Sequence, residues 1–299
     1  MKLAALTLTS ALLLAPLLTT SAAHADTPFS KERQAWNEPQ KPFHIIGNLY
    51  YVGMKGVSAF LIKTSDGLIL TDGGLPESAP VIEKNIQALG FKLSDVKLLL
   101  NSHAHFDHSG GLAQLKKDTG AKFAAGAGDR PFLESGHITF GPSLKIDTTP
   151  VHVDQPVKDG DHVSLGGVTL TAHATPGHTK GCTTWTMPLS DGGKTYQVMF
   201  FCSISVAGNP LVNDAAYPNI QNDYRASFAK LNAMQADIFL APHGDQFHLQ
   251  DKLAKVTANG PNPFIDPGEL HRFLAKAKAD YDAELARQLA AARSPSPKP

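Results

Sequence analysis

Short segments rich in β-forming residues alternate with amphipathic helical segments along most of the 299-residue chain. Each β segment is bounded by Gly, Pro, Asp or Asn, residues that typically end strands. Because the alternation continues without a break in composition, it predicts helices packed on β-sheet in one α/β-type domain. The predicted strands are NLYYVG, VSAFLIKT, GLILTDGG, VKLLLN, VTLTAHAT, CTTWTM, QVMFFCS and DIFLAPH, and the predicted helices span 78–89, 109–119, 223–235 and 268–292.

The segment HAHFDH, residues 103–108, joins the strand VKLLLN to the helix predicted from residue 109. Open α/β sheets tend to carry ligand sites at the carboxyl ends of their strands. Side chains repeat every two residues in an extended segment, so His103 and His105 point to the same side and can bind one ion. Asp107 and His108 follow Phe106, where the chain turns into the helix, and can face a second ion. The spacing therefore indicates two neighbouring metal sites.

The ligand types favour zinc, because calcium and magnesium prefer oxygen ligands. A histidine-rich surface loop that only forms hydrogen bonds is one alternative, and a purely structural zinc is another. Structural zinc is usually enclosed by cysteines, and the sequence contains only Cys182 and Cys202. Two more strand ends carry a histidine: His178 follows VTLTAHAT in TPGHT, and His243 follows DIFLA in PHGD. Three strand ends that each carry a histidine together support a metal centre.

The remaining histidines are interpreted as surface or core residues: His24, His44, His137, His152, His162, His173, His248 and His271.

The succession HAHFDHSGG, TPGHT, FFCSIS and APHGD resembles the metallo-β-lactamase superfamily, and the resemblance covers nearly the whole of residues 26–292. Within the superfamily, PGHT-x-G-CTTWTM and the NPF-x-DP stretch near Pro263 are similar to the third subclass, B3, of zinc-dependent β-lactamases. The resemblance implies an αββα sandwich, with two mixed β-sheets flanked by helices and the metals in a groove between the sheets. It also implies two zinc ions per chain. Their implied ligands are His103, His105 and His178 for the first ion, and Asp107, His108 and His243 for the second.

The reaction implied by the resemblance is hydrolysis of the β-lactam ring of penicillins, cephalosporins and carbapenems, which confers antibiotic resistance. A metal-bound hydroxide would be the nucleophile, because zinc lowers the pKa of water toward about 7. Asp107 is expected to orient that hydroxide. The segments SDVK and SFAK match S-x-x-K of serine β-lactamases, but the S-D-N and K-T-G segments that complete that site do not accompany them.

The segment FFCSIS is expected to contribute to substrate binding. Ser203 and Ser205 lie two residues apart, so both can point into the groove and donate hydrogen bonds to a β-lactam carboxylate. The alternative is that they only end a strand. A cysteine on this strand binds the second zinc in related subclasses, and strand alternation allows only one of Cys202 and Ser203 to face the metals. We expect Ser203 to face them.

Cys182 and Cys202 flank a predicted hairpin with a three-residue loop, 191–193, which would put them directly opposite each other. They either form a disulfide, as an oxidising compartment allows, or remain two buried thiols. Asp72, in GLILTDGG, is interpreted first as a turn residue and second as a support for a histidine ligand.

Other functions remain open. A thioester or lactone hydrolase on the same scaffold is one, although such relatives usually have a metal-bridging aspartate in the segment matching FFCSIS. A non-catalytic exported zinc-binding protein is another.

The N-terminus predicts export. The order of a secretory signal peptide over residues 1–25 is seen in Met1-Lys2, the short apolar run and Ala23-His24-Ala25. A periplasmic protein starting near Asp26 is therefore expected.

Equal numbers of basic and acidic residues indicate no nucleic-acid partner, and no later run is long and apolar enough for membrane insertion. We expect a monomer that binds a small-molecule β-lactam, with a disordered tail over 293–299.

Overall fold

The computed structural model describes residues 30–258 and 260–293. Twelve strands and eight α-helices are found in these ranges. The strands are β1 Phe43–Ile46, β2 Leu49–Tyr51, β3 Phe60–Thr64, β4 Gly67–Thr71, β5 Val96–Leu100, β6 Lys122–Gly126, β7 Gln155–Val157, β8 His162–Leu165, β9 Val168–Ala174, β10 Thr183–Asp191, β11 Lys194–Phe200 and β12 Ile238–Leu240. The helices are α1 Ser30–Trp36, α2 Ala79–Ala88, α3 Phe106–Ser109, α4 Leu112–Thr119, α5 Arg130–Ser135, α6 Ile220–Asn232, α7 Leu249–Lys255 and α8 Glu269–Arg293.

The strands form two mixed sheets. The first has seven strands in the order β1 to β7, antiparallel from β1 to β4 and parallel from β4 to β7. The second has five strands in the order β12-β11-β10-β9-β8, and only its β11–β12 pair is parallel. These two mixed sheets flanked by helices are the predicted sandwich, so the expected α/β fold class is confirmed.

Aromatic contacts link the layers of the sandwich. The ring of Phe60 on β3 lies 5.5 Å from that of Phe200 on β11, which joins the two sheets. On the outer side of the second sheet, Phe273 of α8 lies 5.2 Å from Phe239 of β12. The buried Leu270, Leu274 and Tyr281 continue the predicted apolar stripe of α8. Packing of helices on sheet thus buries the stripe that the sequence indicates.

The eight predicted strands are all present, and β1, β6, β7 and β8 were missed. Three of these missed strands have weak β signals: β6 is KFAAG, β7 is QPV with a proline, and β8 has four residues. Alanine, glycine and proline have low strand propensity, so here tertiary pairing outweighs local preference. Helices α1, α5 and α7, each of six or seven residues, were also not predicted.

The helix predicted from residue 109 begins later, at Leu112. The one-turn helix α3 precedes it, and Gly110 and Gly111 separate the two. A Cβ at Gly111 would lie 2.3 Å from the carbonyl oxygen of Gly73, so only glycine allows this approach to the loop after β4. The chain therefore turns at Phe106, as the sequence predicts, but in two short helical steps.

Several strand ends meet at one edge of the sandwich. The ends of β9, β11 and β12 lie together because Ala174 pairs with Thr183, and Phe200 pairs with both Trp185 and Leu240. The end of β5 joins them through two hydrogen bonds: Thr183 N donates to Ser102 O at 2.9 Å, and Trp185 Nε1 donates to Asn101 O at 3.1 Å. This edge carries every candidate site residue.

The signal peptide predicted for residues 1–25 lies outside the described residues, as do residues 294–299 of the predicted tail. Within residues 30–258 and 260–293, no helix is both long enough and apolar enough to cross a membrane.

Candidate metal centre and active site

Three buried histidines converge where β5 and β9 end. His103 and His105 come from the loop after β5, and His178 from the loop after β9. His178 Nε2 lies 2.9 Å from His105 Nδ1 and 3.1 Å from His103 Nε2. The structure therefore brings one nitrogen of each ring to a common point, and we refer to these residues as the three-histidine cluster.

A second group of ligand-type side chains lies beside it. Asp107 and His108 are on α3, and His243 follows β12. Asp107 Oδ2 lies 3.3 Å from His108 Nε2 and 3.4 Å from His243 Nε2, and the two nitrogens are 3.2 Å apart. We refer to these residues as the aspartate–histidine cluster. The ring centroids of His103 and His108 are 4.4 Å apart, so the two clusters are adjacent.

Burial controls protonation in the three-histidine cluster. It lowers the pKa of His103 and His178 well below the usual value, and the other histidines lower it further. Burial also lowers the pKa of His105 to about 4. These imidazoles are neutral at physiological pH, which is the form that binds a metal.

In the aspartate–histidine cluster, burial lowers the pKa of His243 to about 4. Burial would raise the pKa of Asp107, but His108 and His243 outweigh it and bring the pKa below its ordinary value. Burial opposes protonation of His108, yet the carboxylate of Asp107 raises its pKa. Asp107 thus favours the protonated form of His108, and a protonated His108 has to release its proton to act as a ligand.

The donor atoms fit zinc. Ligands at zinc–nitrogen distances of about 2.0–2.1 Å in a tetrahedron are about 3.3 Å from one another. The contacts described above between donor atoms of one cluster are 2.9 to 3.4 Å long. Three neutral imidazoles, or two imidazoles and a carboxylate, also leave coordination positions open, as catalytic zinc sites do. Each cluster could therefore hold one metal ion.

Asp72 turns out to support the loop that carries the histidines. Its Oδ1 accepts hydrogen bonds from Ser102 N at 2.7 Å and from Asn101 Nδ2 at 2.8 Å. It lies in the left-handed region, with φ 57°, and is 5% exposed. Burial raises its pKa, although His108 and these hydrogen bonds oppose that effect. The turn interpretation is therefore incomplete, because Asp72 also positions the backbone immediately before His103.

The two cysteines form a disulfide, with 5.8 Å between their Cα atoms. The predicted three-residue hairpin loop is wrong. Asp191 pairs with Lys194, so the loop has two residues, Gly192 and Gly193, and both have the positive φ that such tight turns require. In this register Cys182 and Cys202 are offset by one position rather than directly opposite. Cys202 Sγ is committed to the disulfide, which removes it as a metal ligand.

The serines of FFCSIS lie against the three-histidine cluster. Ser205 Oγ is 3.3 Å from His178 Nδ1 and 3.4 Å from Ser203 Oγ. Ser203 is buried and Ser205 is exposed, so the two differ in access to solvent. A cavity of about 530 Å³ extends from Ser205 past Gln246 to Phe273 and Tyr281 of α8. A ligand large enough to fill that cavity would touch Ser205.

Comparison with known proteins agrees with this geometry. Residues 52–192 match the model of the metallo-beta-lactamase superfamily. The subclass B3 metallo-beta-lactamase BJP-1 of Bradyrhizobium japonicum is 48% identical, with a TM-score of 0.83, and the match covers 86% of this chain and 98% of BJP-1. The chain belongs to the metallo-β-lactamase superfamily. The family prediction, with its resemblance to subclass B3, is confirmed.

Two further comparisons bear on activity within the metallo-β-lactamase superfamily. The metallo-beta-lactamase FEZ-1 from Legionella gormanii is 42% identical over 84% of this chain and 98% of FEZ-1, with a TM-score of 0.81. A hydroxyacylglutathione hydrolase of Hyphomonas neptunium is 38% identical over 81 residues, which are 27% of this chain and 25% of the relative. The chain spans less than half the length of the curated relatives it matches. These comparisons support the prediction that the protein is a hydrolase. The similar proteins carry the names of two kinds of hydrolase, so the names alone do not identify the substrate.

Sequence reasoning missed two residues next to this metallo-β-lactamase site. Trp36 of α1 has its ring 5.6 Å from that of His243 and borders a cavity of about 450 Å³ beside it. Asp129 connects the loops that carry the histidines through hydrogen bonds. Neither belongs to a motif, because a lone tryptophan or aspartate has no informative spacing. The AGD segment before α5 was the only local signal for Asp129.

Proposed function

We propose that the protein is a zinc-dependent β-lactamase that opens the β-lactam ring of penicillins, cephalosporins and carbapenems with two zinc ions per chain. The observation that carries the proposal is the pair of adjacent ligand clusters on a fold whose solved relatives include metallo-beta-lactamases at 42% and 48% identity. His103, His105 and His178 would hold one ion, and Asp107, His108 and His243 the other. The chemistry that bound zinc supplies is Lewis acidity, which makes water acidic enough to be a nucleophile near neutral pH and stabilises negative charge on the substrate.

The residues of the chain have separate tasks in this proposal. The carboxylate of Asp107 remains ionised at neutral pH, so it can accept a hydrogen bond from the attacking water and orient it. The hydroxyls of Ser203 and Ser205 can donate to the carboxylate that β-lactams carry. The cavity between Ser205 and α8 has room for the substituents of the β-lactam nucleus. No serine nucleophile is needed, because the attacking oxygen comes from water.

A thioester hydrolase is the second candidate, because several curated relatives are hydroxyacylglutathione hydrolases. Two observations favour the β-lactamase. The match to these relatives covers 27% to 44% of this chain, whereas the match to BJP-1 covers 86%. The segment after β11 also offers a disulfide-bonded Cys202 and then Ser203, where such hydrolases usually have a metal-bridging carboxylate.

One experiment separates these candidates and a non-catalytic zinc-binding protein. The purified protein is incubated with a penicillin, a cephalosporin, a carbapenem and a hydroxyacylglutathione thioester, with and without a zinc chelator, and zinc is measured by elemental analysis. We expect about two zinc ions per chain and ring opening that the chelator abolishes and added zinc restores. Two bound zinc ions with thioester cleavage alone would favour the second candidate. Bound zinc with no turnover would favour the non-catalytic protein.

We also propose that the protein is exported to the periplasm as a monomer and contributes to antibiotic resistance there. The order of features in residues 1–25 supports export. Expression of the full chain in a bacterium, followed by fractionation and N-terminal sequencing, tests it. A mature protein that starts near Asp26 in the periplasmic fraction, with higher tolerance of the host to β-lactams, is the expected result. A full-length protein retained in the cytoplasm would contradict it.

A further inference from the structure

Asp129 is a buried carboxylate that the proposed reaction does not use. It lies just after β6, at the start of α5, and is 1% exposed. Its Oδ2 accepts hydrogen bonds from Thr179 Oγ1 at 2.6 Å and from Ala104 N at 2.9 Å, and its Oδ1 accepts one from Gly181 N at 2.7 Å. A buried carboxylate is unfavourable unless donors satisfy it, and here three donors converge on it.

The donors come from the two loops that carry the three-histidine cluster. Ala104 lies between His103 and His105, so its backbone N–H is part of the short segment that connects the two histidines. Thr179 directly follows His178, and Gly181 lies two residues further along the same loop. One carboxylate therefore connects, through short hydrogen bonds, the segments that present all three histidines. Asp129 is not itself a member of either ligand cluster.

Close backbone packing holds Asp129 in this position. A Cβ at Gly181 would lie 2.1 Å from Asp129 N, and a Cβ at Gly126 would lie 2.0 Å from Gly181 O. A Cβ at Gly128 would lie 2.5 Å from Lys180 O. The segment 126–129 thus runs against the segment 180–181 with no space for side chains between them. The carboxylate can exert its effect because the backbone that carries it is rigidly packed.

We propose that Asp129 is a positioning residue for the three-histidine cluster: its carboxylate holds the loops of residues 103–105 and 178–181 in the relative arrangement that binds one metal ion. The inference rests on the metal assignment in the proposed function. Preorganised ligands bind metal more tightly, because less conformational freedom is lost on binding. Without the carboxylate, the amides of Ala104 and Gly181 would be buried donors without their acceptor, and each loop would move to satisfy them.

The test measures metal affinity in a background with one site. His243→Ala removes a ligand of the aspartate–histidine cluster, so the remaining zinc reports on the three-histidine cluster. Asp129→Asn is then added. Asparagine keeps the shape of the side chain, but its NH₂ group faces a group that itself donates, so at least one of the three hydrogen bonds is lost. The matched control is Asp154→Asn. Asp154 also accepts a backbone hydrogen bond from β6, from Phe123 N at 2.7 Å, but at the end of the strand away from the histidines.

Zinc affinity is measured by competition with a chelator, and the visible absorption of the cobalt-substituted protein reports ligand geometry. We expect Asp129→Asn to weaken zinc binding about 10- to 100-fold and to change the cobalt spectrum. Asp154→Asn should leave the zinc affinity within about twofold of that of the His243→Ala protein and should leave the cobalt spectrum unchanged. Thr179→Val removes one donor while keeping the carboxylate, and a smaller loss in the same direction is expected. This variant keeps the inference testable if Asp129→Asn does not fold.

Unchanged zinc affinity and cobalt spectrum in the folded Asp129→Asn protein would overturn the inference. Equal losses in the Asp129 and Asp154 variants would also overturn it, since they would indicate a general effect on stability. The proposed function fails by a different result, namely two zinc ions in the unmutated protein without β-lactam hydrolysis. If the unmutated protein binds no zinc, both ideas are wrong.

Discussion

His178 and Ser205 are joined by a hydrogen bond of 2.8 Å from the imidazole Nδ1 to the backbone carbonyl oxygen. Because a carbonyl can only accept, Nδ1 carries the proton and Nε2 has a free lone pair. That lone pair points toward His103 and His105. The segment proposed to bind substrate thus also selects the tautomer of a proposed metal ligand.

Loss of His178 should remove the metal from the three-histidine cluster. We expect His178→Ala to lower zinc content toward one ion per chain and to reduce kcat/KM for a cephalosporin by more than about 100-fold. His173→Ala is the control, since His173 is a half-buried histidine on the same β9 strand that bonds to Thr186 Oγ1 at 2.8 Å. Elemental analysis and steady-state kinetics check both variants. Full zinc content in His178→Ala would contradict the assignment.

Substitution of Ser205 should act on substrate binding without removing the metal. A hydrogen bond to a charged group contributes about 1.5–3 kcal/mol, so Ser205→Ala is expected to raise KM for carboxylate-bearing β-lactams about 10- to 100-fold. Zinc content should be unchanged, because the carbonyl of Ser205 that bonds to His178 remains. Ser190→Ala, an exposed position on β10, is the matched control. An unchanged KM would mean that Ser205, which follows β11 by five residues, does not bind the substrate carboxylate.

Removal of the disulfide should affect stability but not metal content. Cys182 and Cys202 close a loop with a sequence separation of 20. A loop of this size predicts a loss of about 3 kcal/mol of unfolding free energy in Cys182→Ser/Cys202→Ser. Zinc content should stay near two per chain, because the Cys202 sulfur is bonded to Cys182. Denaturant unfolding and elemental analysis measure the two effects, and loss of one zinc ion would restore Cys202 as a ligand.

Asp129 should give the metal-free protein a distinctive dependence on pH. Burial raises the pKa of its carboxyl to about 6 from the ordinary 3.8, even though Thr179, Gly181 and Ala104 oppose the shift. Between these values the folded chain binds more protons than the unfolded chain, so this contribution to stability is present at low pH and is lost as pH rises through about 6. Relative to Asp129→Asn, the unmutated apoprotein should lose roughly 2 kcal/mol of unfolding free energy between pH 4 and 7.

Asp154→Asn provides a control of opposite sign for the pH measurement. Burial opposes ionisation of Asp154, but the hydrogen bonds from Lys116 and Phe123 and the charge of Lys116 together outweigh it and lower the pKa of that carboxyl. Its contribution is therefore present above the unfolded pKa and is lost as pH falls. Urea unfolding of the three apoproteins at pH 4, 5, 6 and 7 compares them. Parallel curves for the unmutated protein and Asp129→Asn would contradict the raised pKa.

The sequence by itself determined the features that depend on near neighbours in the chain. Short β-rich or apolar runs bounded by Gly, Pro, Asp or Asn identified the eight predicted strands. Apolar residues at helical spacing identified the helical stripes, because that spacing follows from local backbone geometry. The same reasoning indicated that His103 and His105 share one side and that the chain turns at Phe106. Residues 26–292 were predicted to form one domain, and the oligomeric state was predicted to be monomeric; both stay predictions.

Only the tertiary structure decided which distant segments meet. Register is set by pairing across the whole sheet, so the sequence could not show that Cys182 and Cys202 are offset by one position rather than directly opposite. Likewise, Asp72 and Asp129 look like ordinary turn aspartates until the loops that donate to them are brought near. Local periodicity carries no information about contacts between residues far apart in the chain. The ends of strands β5, β9 and β12, which precede the histidine-bearing loops, meet through such contacts. They come together only once both sheets have formed.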